Sequence, residues 1–182
     1  MRSEVETILE ADHAELDRLL ERTFRAMDSA DCREAYLGLD YFWARLALHI
    51  RAEHLRLFPA VRSITQRAAE ADDAVNFEDI PELLEQLRHD HDFFMTELAR
   101  AIKALRLVFS FGNEAETLST VRELTDQVRQ RLVTHNDIEE NRIYTLISGE
   151  FLSPEAMSDL KLSIEKELSN LPHRFRLTSA SS

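Results

Sequence analysis

Apolar residues recur along the chain at intervals of three, four or seven residues, which is the spacing of one face of an α-helix. Pro59 should kink or break the second predicted helix, because proline lacks the N–H group that continues a helix. Ser153 and Pro154 are typical of the start of a shorter fifth helix. The four long helices are predicted over about residues 3–28, 31–69, 81–111 and 114–148. Short connections make successive helices antiparallel, so we expect an all-α, up-down-up-down four-helix bundle with an additional C-terminal helix.

The length of 182 residues fits one principal domain that buries its own core. We expect residues 1–150 to form the bundle. Residues 151–182 should form a C-terminal helix and tail that pack on the bundle or on a partner, such as a second copy of the chain. Polar or glycine-containing connections are predicted at 71–80 and 111–113, and the last residues should fray.

The chain is acidic, since Asp and Glu outnumber Lys and Arg by 34 to 22 and the formal net charge is -12. Without a basic cluster, neither nucleic acid nor an anionic membrane surface is an expected partner. The first residues do not form the apolar core of a secretory signal, and no apolar run of about 18 residues follows. We therefore expect a cytoplasmic protein.

The single cysteine, Cys32, excludes a disulfide within the chain and a metal cluster built from cysteines alone. We interpret it as an inert small residue near the first helix connection rather than a reactive thiol. Any metal in this chain must therefore use nitrogen and oxygen ligands.

Six ionisable side chains interrupt the apolar faces of the four long helices. Each would cost a few kcal/mol to bury without a strong partner. Antiparallel packing brings all of them to one level of the core, so we infer that they share bound metal. They are His13, His49, Glu53, His91, His135 and Glu139.

Two of these helices carry the same pair, His49-x3-Glu53 and His135-x3-Glu139, with both side chains one turn apart on one face. A carboxylate has a second oxygen and can bridge to a neighbouring metal. The chain halves also repeat each other: DHAEL matches DHDFF, and HIRAEHLRLF matches HNDIEENRIY. A site on the axis of such a repeat naturally holds two equivalent metals.

Other side chains near the six are weaker candidates. Glu140 competes with Glu139 as the carboxylate ligand, but the repeat with Glu53 favours Glu139. His89 lies about 200° around its helix from His91 and should face solvent. We interpret His54 as a support for a ligand or a surface group, and His173 as part of the tail. Three aromatic residues could border the site: Tyr41, Trp43 and Tyr144.

With these motifs, the sequence resembles the hemerythrin-like family over roughly residues 8–147. The cation-binding domain of that family has His on helices one and three and His-x3-Glu on helices two and four. The run HIRAEHLRLFP is the most diagnostic stretch, whereas ferritin-like proteins carry Glu-x-x-His. The resemblance implies a non-haem centre of two iron ions joined by an oxo or hydroxo bridge, with the six residues as ligands. Manganese or zinc are alternative metals.

The chain departs from the oxygen-carrying hemerythrins. They place a second histidine one turn before that of helix three, where this chain has Leu87, and no proline follows Tyr144 here. Four histidines, two bridging carboxylates and one bridge fill about ten of twelve octahedral positions. With about two positions open, the resemblance implies binding of dioxygen or nitric oxide, or sensing of iron or redox state.

Two other functions remain open. A di-iron enzyme would use the open positions for peroxide reduction, ferrous ion oxidation or repair of iron-sulfur clusters. A structural bundle would instead satisfy the same six side chains by hydrogen bonds without metal.

Overall fold

The computed structural model describes residues 2–70, 77–111 and 114–176. These residues are mainly α-helical and contain no strand, so the prediction of an all-α protein is confirmed. Within them, no helix combines the length and the apolar character that crossing a membrane requires. Of the connections predicted at 71–80 and 111–113, residues 71–76 and 112–113 lie outside the described residues, as does the end of the chain at 177–182. The helices are α1 Glu4–Asp28, α2 Cys32–Ala52, α3 Phe58–Glu70, α4 Ile80–Phe111, α5 Glu114–Ile138, α6 Pro154–Leu168 and α7 His173–Arg176.

Side-chain caps fix where several helices begin. The Ser3 hydroxyl accepts from the Glu6 N–H, and the Glu6 carboxylate accepts in return from the Ser3 N–H. At the start of α2 the Asp31 carboxylate accepts from the Glu34 N–H. Ser153 caps α6, and Pro154 occupies its first turn, where the missing N–H costs nothing.

Two of the long helices contain a π-helical segment, which the sequence pattern did not predict. The first, Glu53–Leu57, joins α2 to α3. The second, Glu139–Ile143, extends α5 and leads into a short 3-10 turn, Tyr144–Leu146. In each segment an N–H donates to the carbonyl five residues earlier, as in Phe58 to Glu53.

Of the kink or break expected at Pro59, the break does not occur, because the chain stays helical from Cys32 to Glu70. The wide π turn carries the backbone away from the carbonyl that a proline ring would meet in a regular helix. The helix expected over about 114–148 is helical as far as Leu146, but it is not α-helical throughout. Its α-helical part ends at Ile138, and the last 3-10 turn ends at Leu146.

α1 and α2 run antiparallel, since His13 contacts His49 while Thr23 lies against Gly38. The two backbones approach closely at Gly38. A Cβ atom there would lie 2.6 Å from the Thr23 Oγ1, so a residue without a side chain is needed at this crossing.

The other long helices also pair in opposite directions. Arg106 of α4 donates to the Tyr36 hydroxyl of α2 at 3.0 Å, far from the contact of Glu53 with His91. α1 and α5 meet at two ends, through Asp28 with Arg122 and through His13 with Glu139. Four long helices therefore surround a common interior, with α4 and α5 as neighbours.

The interior consists of two apolar clusters with a polar layer between them. One cluster draws on residues between Leu16 and Leu132, and the other joins the start of α1 to α3, the start of α4 and α6. Each of the four predicted ligand histidines lies where its helix passes from one cluster to the other. The apolar pattern thus places all four at one depth.

α6 packs against the first two helices rather than standing apart. Ile164 and Leu168 are buried in the second cluster. The Glu167 carboxylate accepts from Arg56 at 2.7 Å and pairs with Arg51 at 2.9 Å. These contacts connect α6 to the part of the chain that carries Glu53.

Candidate metal centre

The structure brings all six predicted side chains together in the polar layer. Each is at most 4% exposed. Their ligand atoms form two overlapping groups, and the atoms of each group lie within 4.8 Å of one another. We call them the first half-site, His13, His49, Glu53 and Glu139, and the second half-site, Glu53, His91, His135 and Glu139.

The first half-site is built from α1, α2 and the two π segments. The Nε2 atoms of His13 and His49 lie 3.1 Å apart. The His49 Nε2 is 3.2 Å from the Glu53 Oε1, and the His13 Nε2 is 3.2 Å from the Glu139 Oε2. Two nitrogens and two oxygens therefore face one point.

The second half-site repeats this geometry with α4 and α5. The Nε2 atoms of His91 and His135 lie 3.1 Å apart. The His91 Nε2 is 3.2 Å from the Glu53 Oε2, and the His135 Nε2 is 3.2 Å from the Glu139 Oε1. Each carboxylate thus turns one oxygen toward each half-site, which is the geometry of a bridging ligand.

The residues fit a pair of metal cations. Two facing Nε2 atoms can share one proton at most, whereas two ligands about 2.1 Å from one octahedral metal lie about 3.0 Å apart. The Glu53 Oε2 and the Glu139 Oε1 are buried, and among the described residues they face only the imidazole nitrogens of His91 and His135, with no hydroxyl or backbone N–H donating to them. Such oxygens are costly without a cation. Imidazole and carboxylate together suit iron, manganese or zinc.

Aspartates outside the six hold two of the imidazoles. The Nδ1 of His49 lies 3.0 Å from the Asp12 Oδ2, and the Nδ1 of His135 lies 3.3 Å from the Asp90 Oδ2. An Nδ1–H that donates to a carboxylate leaves the Nε2 lone pair free for a metal and fixes the ring.

Each aspartate also binds an arginine with its other oxygen. Arg131 donates to the Asp90 Oδ1 at 2.6 Å, and Arg45 donates to Asp12. Arg45 further donates to the backbone carbonyl of Leu168 at 3.0 Å, at the end of α6. The candidate ligand His49 is thus the inner end of a chain of hydrogen bonds that reaches the C-terminal helix.

The remaining two imidazoles have unlike partners. The His13 Nδ1 lies 2.8 Å from the Glu140 Oε1, and the His91 Nδ1 lies 2.9 Å from the His54 Nε2. Glu140 therefore supports a histidine, while Glu139 joins the ligand group. His54 also contacts a candidate ligand, His91, at the His91 Nδ1 atom. This contact agrees with the first of the two roles expected for His54, a support for a ligand.

Tyr144 reaches into the first half-site. Its Oη lies 3.1 Å from the His13 Nε2, 3.1 Å from the Glu53 Oε1 and 3.2 Å from the Glu139 Oε2. In a regular helix, residue 144 would lie about 140° around the axis from residue 139. The π turn brings it back over Glu139. Burial and the nearby carboxylates raise the pKa of Tyr144 well above its ordinary value, so it stays a neutral phenol.

The buried acids and bases keep one another charged. Burial opposes charge on His49, yet Glu53 raises the pKa of that imidazole well above its ordinary value. Burial lowers the pKa of His135, but Glu139, Asp90 and Glu53 together outweigh it and raise the pKa to about 10. Burial raises the pKa of Glu53, but His49 and His91 together more than offset burial and the net shift is downward. The ionised carboxylates can receive a cation that displaces the imidazole protons.

Other predicted side chains lie away from the centre. His89 is 71% exposed beside Glu85, as expected. Tyr41 contacts Phe175, Trp43 packs against the first apolar cluster, and His173 begins α7 rather than lying in a tail. Cys32 is a buried free thiol whose pKa is raised by burial.

Sequence reasoning missed the supporting residues Asp12, Asp90, Arg45 and Arg131. The signal was present, because an aspartate precedes the histidine of α1 and that of α4. In each half an arginine also lies four residues before the His-x3-Glu histidine. An Arg-x3-His-x3-Glu repeat paired with an Asp-His repeat would have identified the whole network.

Comparison with known proteins agrees with this geometry. A family model described as Hemerythrin HHE cation binding domain matches residues 4–147. The chain belongs to the hemerythrin family. The match includes all six hemerythrin-type candidate ligands and ends before α6. No curated protein and no solved structure showed significant similarity to the chain.

Leu87 separates this hemerythrin-family chain from the oxygen carriers that it resembles. It stands where they have a further histidine, and it is fully buried in the second apolar cluster. The position therefore contributes packing and no ligand atom to the cation-binding centre.

Proposed function

We propose that this hemerythrin-family chain is a non-haem di-iron binding protein with His13, His49, Glu53, His91, His135 and Glu139 as its ligands. The observation that carries the proposal is the shared pair of carboxylates, each with one oxygen on each half-site. Family membership favours a cation, and the nitrogen and oxygen donors suit iron. Manganese or zinc would fit the same donors.

We also propose that α1, α2 with α3, α4 and α5 form an up-down-up-down four-helix bundle within residues 1–150. Residues 151–182 would be an additional C-terminal unit. The antiparallel contacts between the long helices and the packing of α6 support this division. Such a bundle needs no partner chain to complete the metal centre.

The function that this centre supports best is the binding of dioxygen or nitric oxide, or the sensing of iron or redox state. A pair of irons would supply open coordination positions and electrons for a small ligand. The chain's own part is to exclude water with two apolar clusters and to orient each imidazole through its Nδ1 partner.

Metal analysis of anaerobically purified protein tests this function. We expect about two irons per chain, because two half-sites share two carboxylates. Oxygen or nitric oxide should then change the near-ultraviolet and visible spectrum. A protein that contains iron but shows no such change would reject gas binding.

A second candidate is a di-iron enzyme that acts on ferrous ion or peroxide, or repairs iron-sulfur clusters. A surface groove outside His13 favours ferrous ion as its substrate, because most of the charged residues that line it are acidic. Turnover of ferrous ion well above that of free iron, and its loss in His135→Ala, would support this alternative. The acidic lining residues are Glu10, Asp17, Asp137 and Glu140.

A further inference from the structure

The two half-sites are related by the internal repeat, but they differ at one aromatic position. The repeat that aligns His49 with His135 also aligns Phe58 with Tyr144. Each aromatic residue directly follows a π segment that begins at a bridging carboxylate. The two side chains therefore take equivalent positions, one beside each half-site.

The two rings lie against the corresponding histidines. The Phe58 ring is 6.0 Å from the His91 ring, with an angle of 9° between their planes. The Tyr144 ring is 5.7 Å from the His13 ring, with an angle of 32°. The main chemical difference at this position is the hydroxyl of Tyr144.

That hydroxyl faces the first half-site. The three groups it approaches are the His13 Nε2, the Glu53 Oε1 and the Glu139 Oε2. All three atoms belong to the first half-site. The hydroxyl therefore fills polar space that a ligand entering that half-site would need.

The second half-site has the opposite character. Its two carboxylate oxygens, the Glu53 Oε2 and the Glu139 Oε1, lie 3.2 Å from the Nε2 atoms of His91 and His135, and among the described residues no hydroxyl donates to them. Phe58 offers no polar atom to them. No hydroxyl therefore occupies the second half-site as the Tyr144 hydroxyl occupies the first.

Resting on the proposed di-iron function, we propose that the Tyr144 hydroxyl closes the first half-site, so that a small ligand binds only at the second, beside Phe58. Of about twelve octahedral positions, four imidazoles, two bridging carboxylates and one bridge take about ten. The Tyr144 oxygen covers one more and leaves about one. Tyr144 and Phe58 thereby decide where the ligand binds.

Exchange of the two aromatic residues tests the inference on the iron-loaded full-length protein. Nitric oxide is titrated anaerobically and followed in the visible spectrum, with the iron content measured for every variant. The wild type should bind about one nitric oxide per chain, and Tyr144→Phe about two, because the first half-site opens. Phe58→Tyr should bind it at least about 10-fold more weakly, and the double exchange should restore about one per chain.

Tyr41→Phe is the matched control, because it removes a phenol hydroxyl that lies away from the centre beside Phe175. It should behave as the wild type. If Phe58→Tyr does not fold, the nitric oxide stoichiometry of Tyr144→Phe tests the inference by itself. Unchanged nitric oxide stoichiometry in Tyr144→Phe with two irons bound would overturn this inference and leave the di-iron function standing. A wild-type iron content well below two would overturn the di-iron function itself.

Discussion

At the scale of single residues, Asp12 and Asp90 perform the same task in the two halves of the chain. Each accepts from a candidate ligand histidine with one oxygen and from an arginine with the other. Because the His49 Nδ1 is engaged by Asp12, only the His49 Nε2 is left for a metal. The orientation of the imidazole depends on a residue that is not a ligand.

Replacement of either aspartate should weaken metal binding without abolishing the fold. We expect Asp12→Asn and Asp90→Asn each to lower the affinity for ferrous iron about 10-fold to 100-fold, because the amide is a weaker acceptor for the Nδ1–H. Competition with a chelator of known affinity measures the change. Asp92→Asn, at an exposed position of α4, is the control and should bind as the wild type does; equal affinities in all variants would show that the aspartates do not support the ligands.

The residue scale also shows what a sequence can reveal about this site. The six candidate ligands could be predicted because polar side chains stand out on apolar helix faces. Asp12 and Asp90 are also buried, but each directly precedes a histidine in the sequence. The periodicity of apolar residues alone therefore did not assign a role to either aspartate. Which side chains pair across helices, as His91 pairs with His54, depends on the final side-chain geometry. These pairs could not be predicted from the spacing of residues in the sequence.

At the scale of the elements, the π segments are the main departure from the predicted pattern. The 3.6-residue period gave the existence and order of the long helices, because their buried faces are continuous. It failed after Glu53 and after Glu139, where a backbone hydrogen bond spans five residues instead of four. That change of period brings Tyr144 over the centre, so a local irregularity of the backbone sets part of the site's chemistry.

The attachment of α6 should depend on pH through Glu167. Arg56 lowers the pKa of this buried carboxyl, although burial alone would raise it. A carboxyl whose folded pKa lies below its unfolded value, about 4.3, stabilises the fold fully above that value and less as the pH falls through the folded pKa.

Glu167→Gln should therefore lower the melting temperature at pH 7, and the difference from the wild type should shrink progressively below about pH 4.3. Thermal unfolding of both metal-free proteins between pH 3 and pH 7 measures it. Glu165→Gln, at an exposed position of the same helix, serves as the control. A difference that stays constant across this range would contradict the ion-pair explanation.

At the scale of the whole molecule, the four long helices place one polar layer between two apolar clusters. The core residues on both sides hold the layer at a fixed depth and keep water away from it. The fold class and the convergence of the six side chains followed from the sequence, since both depend on helix length, direction and period. The contact of α6 with the start of α1 and with α2 could not be predicted from the sequence, because an amphipathic helix can pack on its own chain or on a partner.

The central claim is that six buried side chains of one chain converge on two cations. Anaerobic titration of ferrous iron into the metal-free protein, with the melting temperature recorded at each step, tests it most directly. We expect binding to saturate at about two irons per chain and the free energy of unfolding to rise by several kcal/mol, because the buried imidazoles and carboxylates gain a partner. A melting temperature that does not respond to iron, or saturation at one iron per chain, would contradict the claim.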